Sequence, residues 1–121
     1  MNWTKYLKYF KPSEFQCKCC GKLLISEELM DRLFVAREKA GIPFVINSGY
    51  RCPKHNAAVG GKSDSAHKEG LAVDIKATDS KTRFKVLKGL YEAGFERIGI
   101  DDKFIHADVD KSKPAEVVFL Y

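Results

Sequence analysis

The chain has 121 residues, which is long enough for one domain with a hydrophobic core and too short for two domains of ordinary size. Its 45% hydrophobic and 31% charged residues are typical of a globular protein and exclude a disordered or fibrous chain. The 21 basic and 16 acidic side chains give a formal net charge of +5, which attracts anionic partners at low salt. We therefore expect one domain spanning residues 1–121, most simply a monomer.

The first residues, MNWTKYLKYFKPSEF, mix basic and aromatic side chains. They lack the uninterrupted apolar segment and the small-residue cleavage site of a secretory signal. No later apolar run approaches the ~20 residues that a membrane-spanning helix needs. We therefore expect a soluble protein with no signal peptide and no membrane insertion.

Four cysteines come next, three of them in the run CKCCG and the fourth much later: Cys17, Cys19, Cys20 and Cys52. They could be reduced thiols, one or two disulfides, or a thiolate zinc site. A four-cysteine zinc ribbon usually shows two C-x2-C pairs, and one crowded cluster with a distant fourth residue weighs against zinc. The sequence leaves the three alternatives open.

The segment after Ser26 predicts an α-helix that ends at Gly41, because serine is a good N-cap and glycine a good stop. Its apolar residues recur at helical spacing: Leu29, Met30, Leu33, Phe34, Ala36 and Ala40. A β-rich run follows at 43–48. Pro53 then opens a short helix that ends at the glycine pair 60–61.

The run LAVDIKA, residues 71–77, predicts a strand by its alternation. Asp74 falls on the face opposite the larger residues Leu71, Val73 and Ile75. A carboxylate inside such an apolar run needs a positive partner. This strand is therefore the first candidate for a functional site.

The segment 80–93 predicts a second long helix, with Ser80 as its cap, Gly94 as its stop and four residues facing inward: Phe84, Leu87, Leu90 and Tyr91. Three short β runs close the chain: RIGID, FIHADV and EVVFLY. Short connections favour antiparallel neighbours. We predict an α+β fold, with helices packed on a mostly antiparallel sheet.

Two histidines can converge on Asp74. In FIHADV, His106 and Asp108 share one face of a strand, so His106 meets Asp74 if the two strands are neighbours. His67 reaches the same point only if the chain bends back, and Gly70 permits such a bend. Two histidines and one aspartate are a common ligand set for catalytic zinc. The third histidine, His55, follows Pro53, and we predict a structural or rim role for it.

These residues resemble the peptidase M15 family, the zinc D-Ala-D-Ala carboxypeptidases and L-alanyl-D-glutamate endopeptidases. The family signature is S-x-H-x-x-G-x-A-x-D, followed later by a strand histidine. Every fixed position is filled here: Ser65, His67, Gly70, Ala72, Asp74 and then His106. The upstream run INSGYRCPKHNAAVGG is similar to the family's SGYR segment, and the likeness is greatest to the short, single-domain, phage-type branch.

The resemblance implies a Hedgehog/DD-peptidase-like zinc peptidase fold, with a zinc ion held by His67, Asp74 and His106. It implies that Arg51 contacts a substrate carboxylate or the developing oxyanion, and that Ser65 lies on the substrate side.

The catalytic base is less clearly marked. Many members carry an acid three residues before the last histidine, where this chain has Lys103. We predict Asp102 as the base, with Asp101 and Asp108 in reserve and Glu69 as a weaker candidate.

The implied function is zinc-dependent hydrolysis of amide bonds in peptidoglycan stem peptides, of DD-carboxypeptidase or LD-endopeptidase type, as in an endolysin. The protein would be made in a phage-infected or host cytoplasm and would act on the cell wall after release. The alternative is a non-catalytic zinc module of the same fold, since the Hedgehog signalling domain resembles this fold and retains zinc. A nucleic-acid-binding zinc domain is disfavoured, because the lysines are scattered and the acidic strand has no role in it.

Overall fold

The computed structural model describes all 121 residues and shows an α+β fold, as predicted. Its three α-helices are α1 (Glu27–Ala40), α2 (Pro53–Ala58) and α3 (Ser80–Glu92). Its five strands are β1 (Ile46–Ser48), β2 (Ala72–Lys76), β3 (Arg97–Ile100), β4 (Phe104–Asp108) and β5 (Val117–Leu120). Short 3-10 turns occur at Trp3–Tyr6, Pro12–Glu14 and Ala66–Glu69. None of the helices has the length and apolar character that crossing a membrane requires.

The strands form one sheet in the order β1-β2-β4-β3-β5. Three of the four pairings are antiparallel, and β5 pairs with β3 in the parallel direction. The sheet is therefore mixed but mostly antiparallel, as predicted, and the parallel pairing of β5 with β3 is the one departure from antiparallel neighbours. Residues 109–116 carry the chain past β3 to its free edge, so that β5 runs alongside β3 rather than next to β4.

The two faces of the sheet have different roles. Val73 and Ile75 of β2, with Ile105 and Ala107 of β4, belong to the hydrophobic core beneath α1 and α3. The residues that alternate with them, Asp74 and His106 among others, lie on the opposite face. The helices therefore stabilise one face of the sheet and leave the other available for chemistry.

Helix α1 forms as its end signals predict. Ser26 Oγ accepts a hydrogen bond from Leu29 N at 3.2 Å, and Gly41 ends the helix in the left-handed conformation. All the predicted apolar positions are buried except Phe34, which packs partly exposed against the core. The β run predicted at 43–48 is shorter in the structure, where only Ile46–Ser48 is a strand.

Helix α3 corrects two predictions. Its N-cap is Asp79 rather than Ser80, because the Asp79 carboxylate accepts from Thr82 N at 2.8 Å. Phe84 and Tyr91, predicted to face inward, are 69% and 59% exposed. The reason is Gly89, at which α3 packs so closely on α1 that a Cβ would collide with the backbone carbonyl of α1. This close approach turns the face carrying Gly89 toward the core and places Phe84 and Tyr91 on the far side.

Candidate metal centre

A single row of residues crosses all five strands on the face away from the helices. Ser48, Asp74, His106, Gly99 and Phe119 are successive cross-strand partners from β1 to β5. Because cross-strand partners project to the same side of a sheet, these side chains form a continuous strip. Asp74 and His106 lie at its centre, as the alternation of β2 and β4 predicts.

His67 joins this strip from the 3-10 turn before β2. Ser65 caps the turn, with its Oγ accepting from His67 N at 3.2 Å. Gly70 ends the turn at φ +69°, and a Cβ there would collide with the Leu24 carbonyl. The chain thus bends back at the predicted glycine and brings His67 over β2.

The three side chains meet at one carboxylate oxygen. Asp74 Oδ1 lies 3.2 Å from His67 Nε2 and 3.1 Å from His106 Nδ1. All three residues are buried, and their three donor atoms lie within 4.8 Å of one another. A cation bound between them would replace the contacts that they now make with each other.

The remaining nitrogens of both rings are already held by the protein. His67 Nδ1 lies 2.8 Å from the Gly49 carbonyl, and His106 Nε2 lies 2.7 Å from Asp108 Oδ2. Such partners fix the ring orientation and leave the opposite nitrogen as the metal donor. Two imidazole nitrogens and a carboxylate oxygen, each held in this way, fit the ligand preferences of zinc.

The electrostatics of the centre favour an ionised carboxylate. Burial alone would raise the pKa of Asp74, but hydrogen bonds with His106 and His67 lower it below its ordinary value. Burial likewise opposes the charged form of His106, yet Asp108 and Asp74 raise its pKa. Asp74 is therefore anionic throughout the physiological pH range, as a metal ligand must be.

Arg51 contacts the same carboxylate from the other side. Its Nη2 donates to Asp74 Oδ2 at 3.1 Å and its Nε donates to Ser48 Oγ at 3.1 Å. A third bond, at 3.4 Å, runs from Nη1 to Asn56 Oδ1. The guanidinium thus lies at the edge of the centre, largely buried, where it fixes Asp74 and adds a positive charge.

The family comparison bears directly on this geometry. The model of the family described as Peptidase M15 matches residues 8–108, which include every residue of the centre. The chain belongs to the peptidase M15 family. The search of curated proteins finds no match. Membership supports a peptidase that acts on a peptide substrate, and the metal dependence typical of M15 peptidases agrees with the donor set described above.

The acidic residues proposed as bases lie in different places in this M15 chain. Asp108 is buried behind His106, and its Oδ1 accepts from Arg97 Nε at 2.8 Å. Asp101 is half-buried in the β3–β4 turn, where its carboxylate accepts from Lys103 N. Asp102 is exposed in the same turn, and its backbone carbonyl accepts from Arg83. Neither turn aspartate makes a hydrogen bond with the three candidate ligands.

Phe119 and Tyr121 form an aromatic wall beside the centre, which no motif in the sequence indicates. Their ring centroids lie 5.6 and 6.4 Å from that of His106. Gly99 makes room for them, since a Cβ there would collide with the Phe119 ring and lie 2.8 Å from Tyr121 Cε2. Only the glycine inside the predicted strand RIGID signalled a close approach. The wall lies beyond the segment that the M15 model matches.

Burial and the nearby negative charge of Asp74 raise the pKa of Tyr121 to about 12. The Tyr121 hydroxyl therefore stays protonated at neutral pH. It is available as a hydrogen-bond donor at the rim of the centre.

Proposed function

We propose that this M15 chain is a zinc-dependent peptidase that hydrolyses amide bonds in peptidoglycan stem peptides. The observation that carries the proposal is the convergence of His67, Asp74 and His106, with Arg51 beside them, on one face of the sheet. We also infer that residues 1–121 act as one domain, which the single continuous hydrophobic core supports, and that the protein is a monomer.

In this proposal His67 Nε2, His106 Nδ1 and the Asp74 carboxylate hold the zinc ion. When bound there, zinc would supply Lewis-acid polarisation of the scissile carbonyl and would acidify a water molecule. Asp108 and the Gly49 carbonyl hold the two imidazole rings so that the donor nitrogens stay directed at Asp74. The protein itself therefore needs no side-chain nucleophile.

Arg51 is the proposed substrate-binding and oxyanion-stabilising residue. Its Nη1 bond to Asn56 is long, at 3.4 Å, so this edge of the guanidinium is the one most easily given over to a substrate carboxylate. Stem peptides carry such carboxylates, and the +5 charge of the chain favours their approach. Ser65 is the proposed residue on the substrate side. In the structure its Oγ accepts a hydrogen bond from His67 N and so caps the 3-10 turn.

The proposed base is Asp102, which would take a proton from the attacking water and return it to the leaving amine. Asp101 and Asp108 remain in reserve. The Asp108 carboxylate is fully engaged by His106 and Arg97, so its better-supported role is to position His106. Asp101 directly follows Ile100, whose carbonyl accepts a hydrogen bond from Tyr121 N at 3.1 Å, so its backbone lies close to the aromatic wall.

A second candidate function is a non-catalytic zinc module that binds the cell wall. The specific observation in its favour is position 103, where Lys103 stands in place of the acid that many M15 members carry. Both candidates bind zinc, so only turnover separates them.

The test is incubation of the zinc-loaded protein with defined stem peptides, followed by mass analysis of the products. We expect cleavage that a chelator abolishes and added zinc restores. The masses distinguish removal of a terminal residue from cleavage within the stem. The variant His106→Ala should be inactive, whereas His55→Ala, which alters the histidine outside the centre, should retain activity. Retention of zinc without any cleavage would favour the binding module.

A further inference from the structure

Four cysteine thiols form a compact cluster that shares no residue with the candidate metal centre. All four are free, and their sulfur atoms lie within 4.8 Å of one another: Cys17, Cys19, Cys20 and Cys52. The Sγ atoms of Cys17 and Cys19 are 3.6 Å apart, and those of Cys19 and Cys52 are 3.3 Å apart. Ligands of a tetrahedral site with Zn–S bonds of about 2.3 Å would be separated by about 3.8 Å. The four sulfurs thus occupy the space of a zinc coordination sphere.

The backbone around the cluster has the form of a metal-binding turn. Cys17 and Cys20 have the C-x2-C spacing of zinc sites, and Gly21 follows in the left-handed conformation at φ +74°. Gly21 N donates to Cys17 O at 2.8 Å, and Cys17 N donates to Lys22 O at 2.7 Å, which closes a tight turn. Because Cys19 lies between these two cysteines, the C-x2-C pair is not evident in the run CKCC.

Backbone N–H groups are directed at two of the sulfurs. Cys52 N lies 3.4 Å from Cys17 Sγ, and His55 N lies 3.4 Å from Cys52 Sγ. Such donors stabilise the thiolate form, which is the form that binds metal. Cys52, which supplies the fourth sulfur, is also the N-cap of α2.

We propose that these four cysteines bind a second zinc ion, which has a structural role. The soft, all-sulfur donor set in a tetrahedral arrangement is typical of structural zinc. The inference depends on the geometry of the four sulfurs and is independent of the peptidase activity.

The second ion would tie the N-terminal segment to the loop that supports the candidate active site. Tyr50 N donates to Phe15 O at 2.9 Å, and a Cβ on Gly49 would lie 2.7 Å from Phe15 Cα. The same loop supplies the Gly49 carbonyl to His67 and carries Arg51 next to Cys52. Four bonds to one ion would fix this loop against Cys17 and its neighbours, and so fix the positions of Arg51 and His67.

The experiment measures zinc in the full-length protein, purified under reducing conditions with zinc and then dialysed. We expect two zinc ions per chain in the wild type, one in His106→Ala, and one in the double variant Cys17→Ser, Cys20→Ser. Lys18→Ser, in the same turn but with no donor atom in the cluster, should keep two. The His106→Ala variant tests zinc binding at the peptidase centre, and the double cysteine variant tests zinc binding at the cysteine cluster. Either proposal can therefore fail without the other.

Coordination is read in the His106→Ala protein, which does not depend on the folding of the cysteine variants. After cobalt substitution we expect intense thiolate-to-cobalt charge-transfer absorption in the near ultraviolet. X-ray absorption at the zinc edge should show four sulfur neighbours at about 2.3 Å.

Three results would overturn the proposal. One is a nitrogen and oxygen shell around the remaining zinc. Another is iron in place of zinc. The third is a disulfide, detected as thiols that resist alkylation after chelation and react only after reduction. Cys19 and Cys52 are the pair closest to such a bond.

Discussion

At the scale of single residues, Asp108 is the acidic side chain whose contacts best define its role. One oxygen contacts His106 Nε2 and the other contacts Arg97 Nε, and the side chain is 1% exposed. Burial would raise the pKa of Asp108, but His106 and Arg97 lower it, so the carboxylate is charged and acts as an acceptor. It therefore holds the His106 ring with Nδ1 directed at Asp74.

We predict that Asp108→Asn weakens zinc binding at the candidate active site by about 10- to 100-fold, because an amide orients the imidazole less firmly. Competition of the wild type and the variant against a chromophoric chelator measures the affinity. Asp102→Asn is the matched control and should bind zinc as the wild type does. Equal affinities for Asp108→Asn and the wild type would show that Asp108 does not position the ligand.

The assignment of the base is tested by Asp102→Asn and Asp101→Asn, two isosteric changes in one turn. We predict that Asp102→Asn lowers kcat by about 10²- to 10⁴-fold while zinc content is unchanged, since proton transfer is lost and no ligand is removed. Asp101→Asn should remain within a few-fold of the wild type. The reverse pattern would move the assignment to Asp101.

The sequence predicts which candidate ligands come together better than it predicts the residues that hold them in place. His67, Gly70 and Asp74 follow from one ten-residue signature and from strand alternation, and the structure brings them together. Arg97 could not be foreseen as a partner of Asp108, because that contact depends on the register between β3 and β4. The base is equally hard to predict, since the conformation of a turn, not a periodic pattern, decides where its side chains point.

At the scale of secondary structure, β5 completes the candidate active site and does so through Gly99. Phe119 pairs across the sheet with Gly99 and lies against His106. The parallel pairing of β5 with β3 was not predictable from short connections, because residues 109–116 reach the far edge of the sheet. By contrast, α1 was predictable from Ser26 and Gly41, which act within one turn of the helix.

We predict that Gly99→Ala destabilises the fold by about 1–3 kcal/mol, because the methyl group would collide with the Phe119 ring. Chemical unfolding of both proteins measures this difference in free energy. The control is Val118→Ala, at an exposed position of β5, the strand that carries Phe119. It should change stability by about 0.5 kcal/mol or less. A Gly99→Ala variant as stable as the wild type would mean that β5 can move away at little cost.

The loop that leads to β5 is organised by Asp110. Its carboxylate accepts from Ser112 N at 3.0 Å and pairs with Lys113 Nζ at 2.7 Å, and Lys113 also donates to Asp64 O. Burial would raise the pKa of Asp110, but Lys113 and Ser112 lower it from 3.8 to about 2. Because the folded-state pKa is the lower one, the stabilisation is complete above pH 4 and is lost as the pH falls toward 2.

We predict that Asp110→Asn lowers the free energy of unfolding at pH 7 by about 1 kcal/mol, which is less than the full pKa shift implies because solvent screens the ion pair with Lys113. The difference from the wild type should shrink between pH 4 and pH 2, where the wild-type carboxylate takes up its proton. Denaturant titrations across this pH range measure both quantities. A difference that stays constant down to pH 2 would show that the ion pair does not contribute through its charge.

At the scale of the whole molecule, the hydrophobic core and the candidate metal centre lie on opposite faces of the sheet. One face packs against α1 and α3, and the other carries the strip from Ser48 to Phe119 on which His67 and Arg51 converge. The α+β class and the division of the faces were predictable, because alternation in β2 and β4 depends on only a few consecutive residues. The inward face of α3 was predicted only in part. Leu87 and Leu90 contact the core, but Phe84 and Tyr91 are exposed, because the close approach at Gly89 is a property of two packed helices.

The proposed zinc site is best tested by anomalous diffraction at the zinc absorption edge from crystals grown with zinc. We expect an anomalous peak about 2.0–2.2 Å from His67 Nε2, His106 Nδ1 and an Asp74 carboxylate oxygen. A zinc-saturated crystal with no peak between these three side chains, or with the two imidazole rings turned away from Asp74, would contradict it.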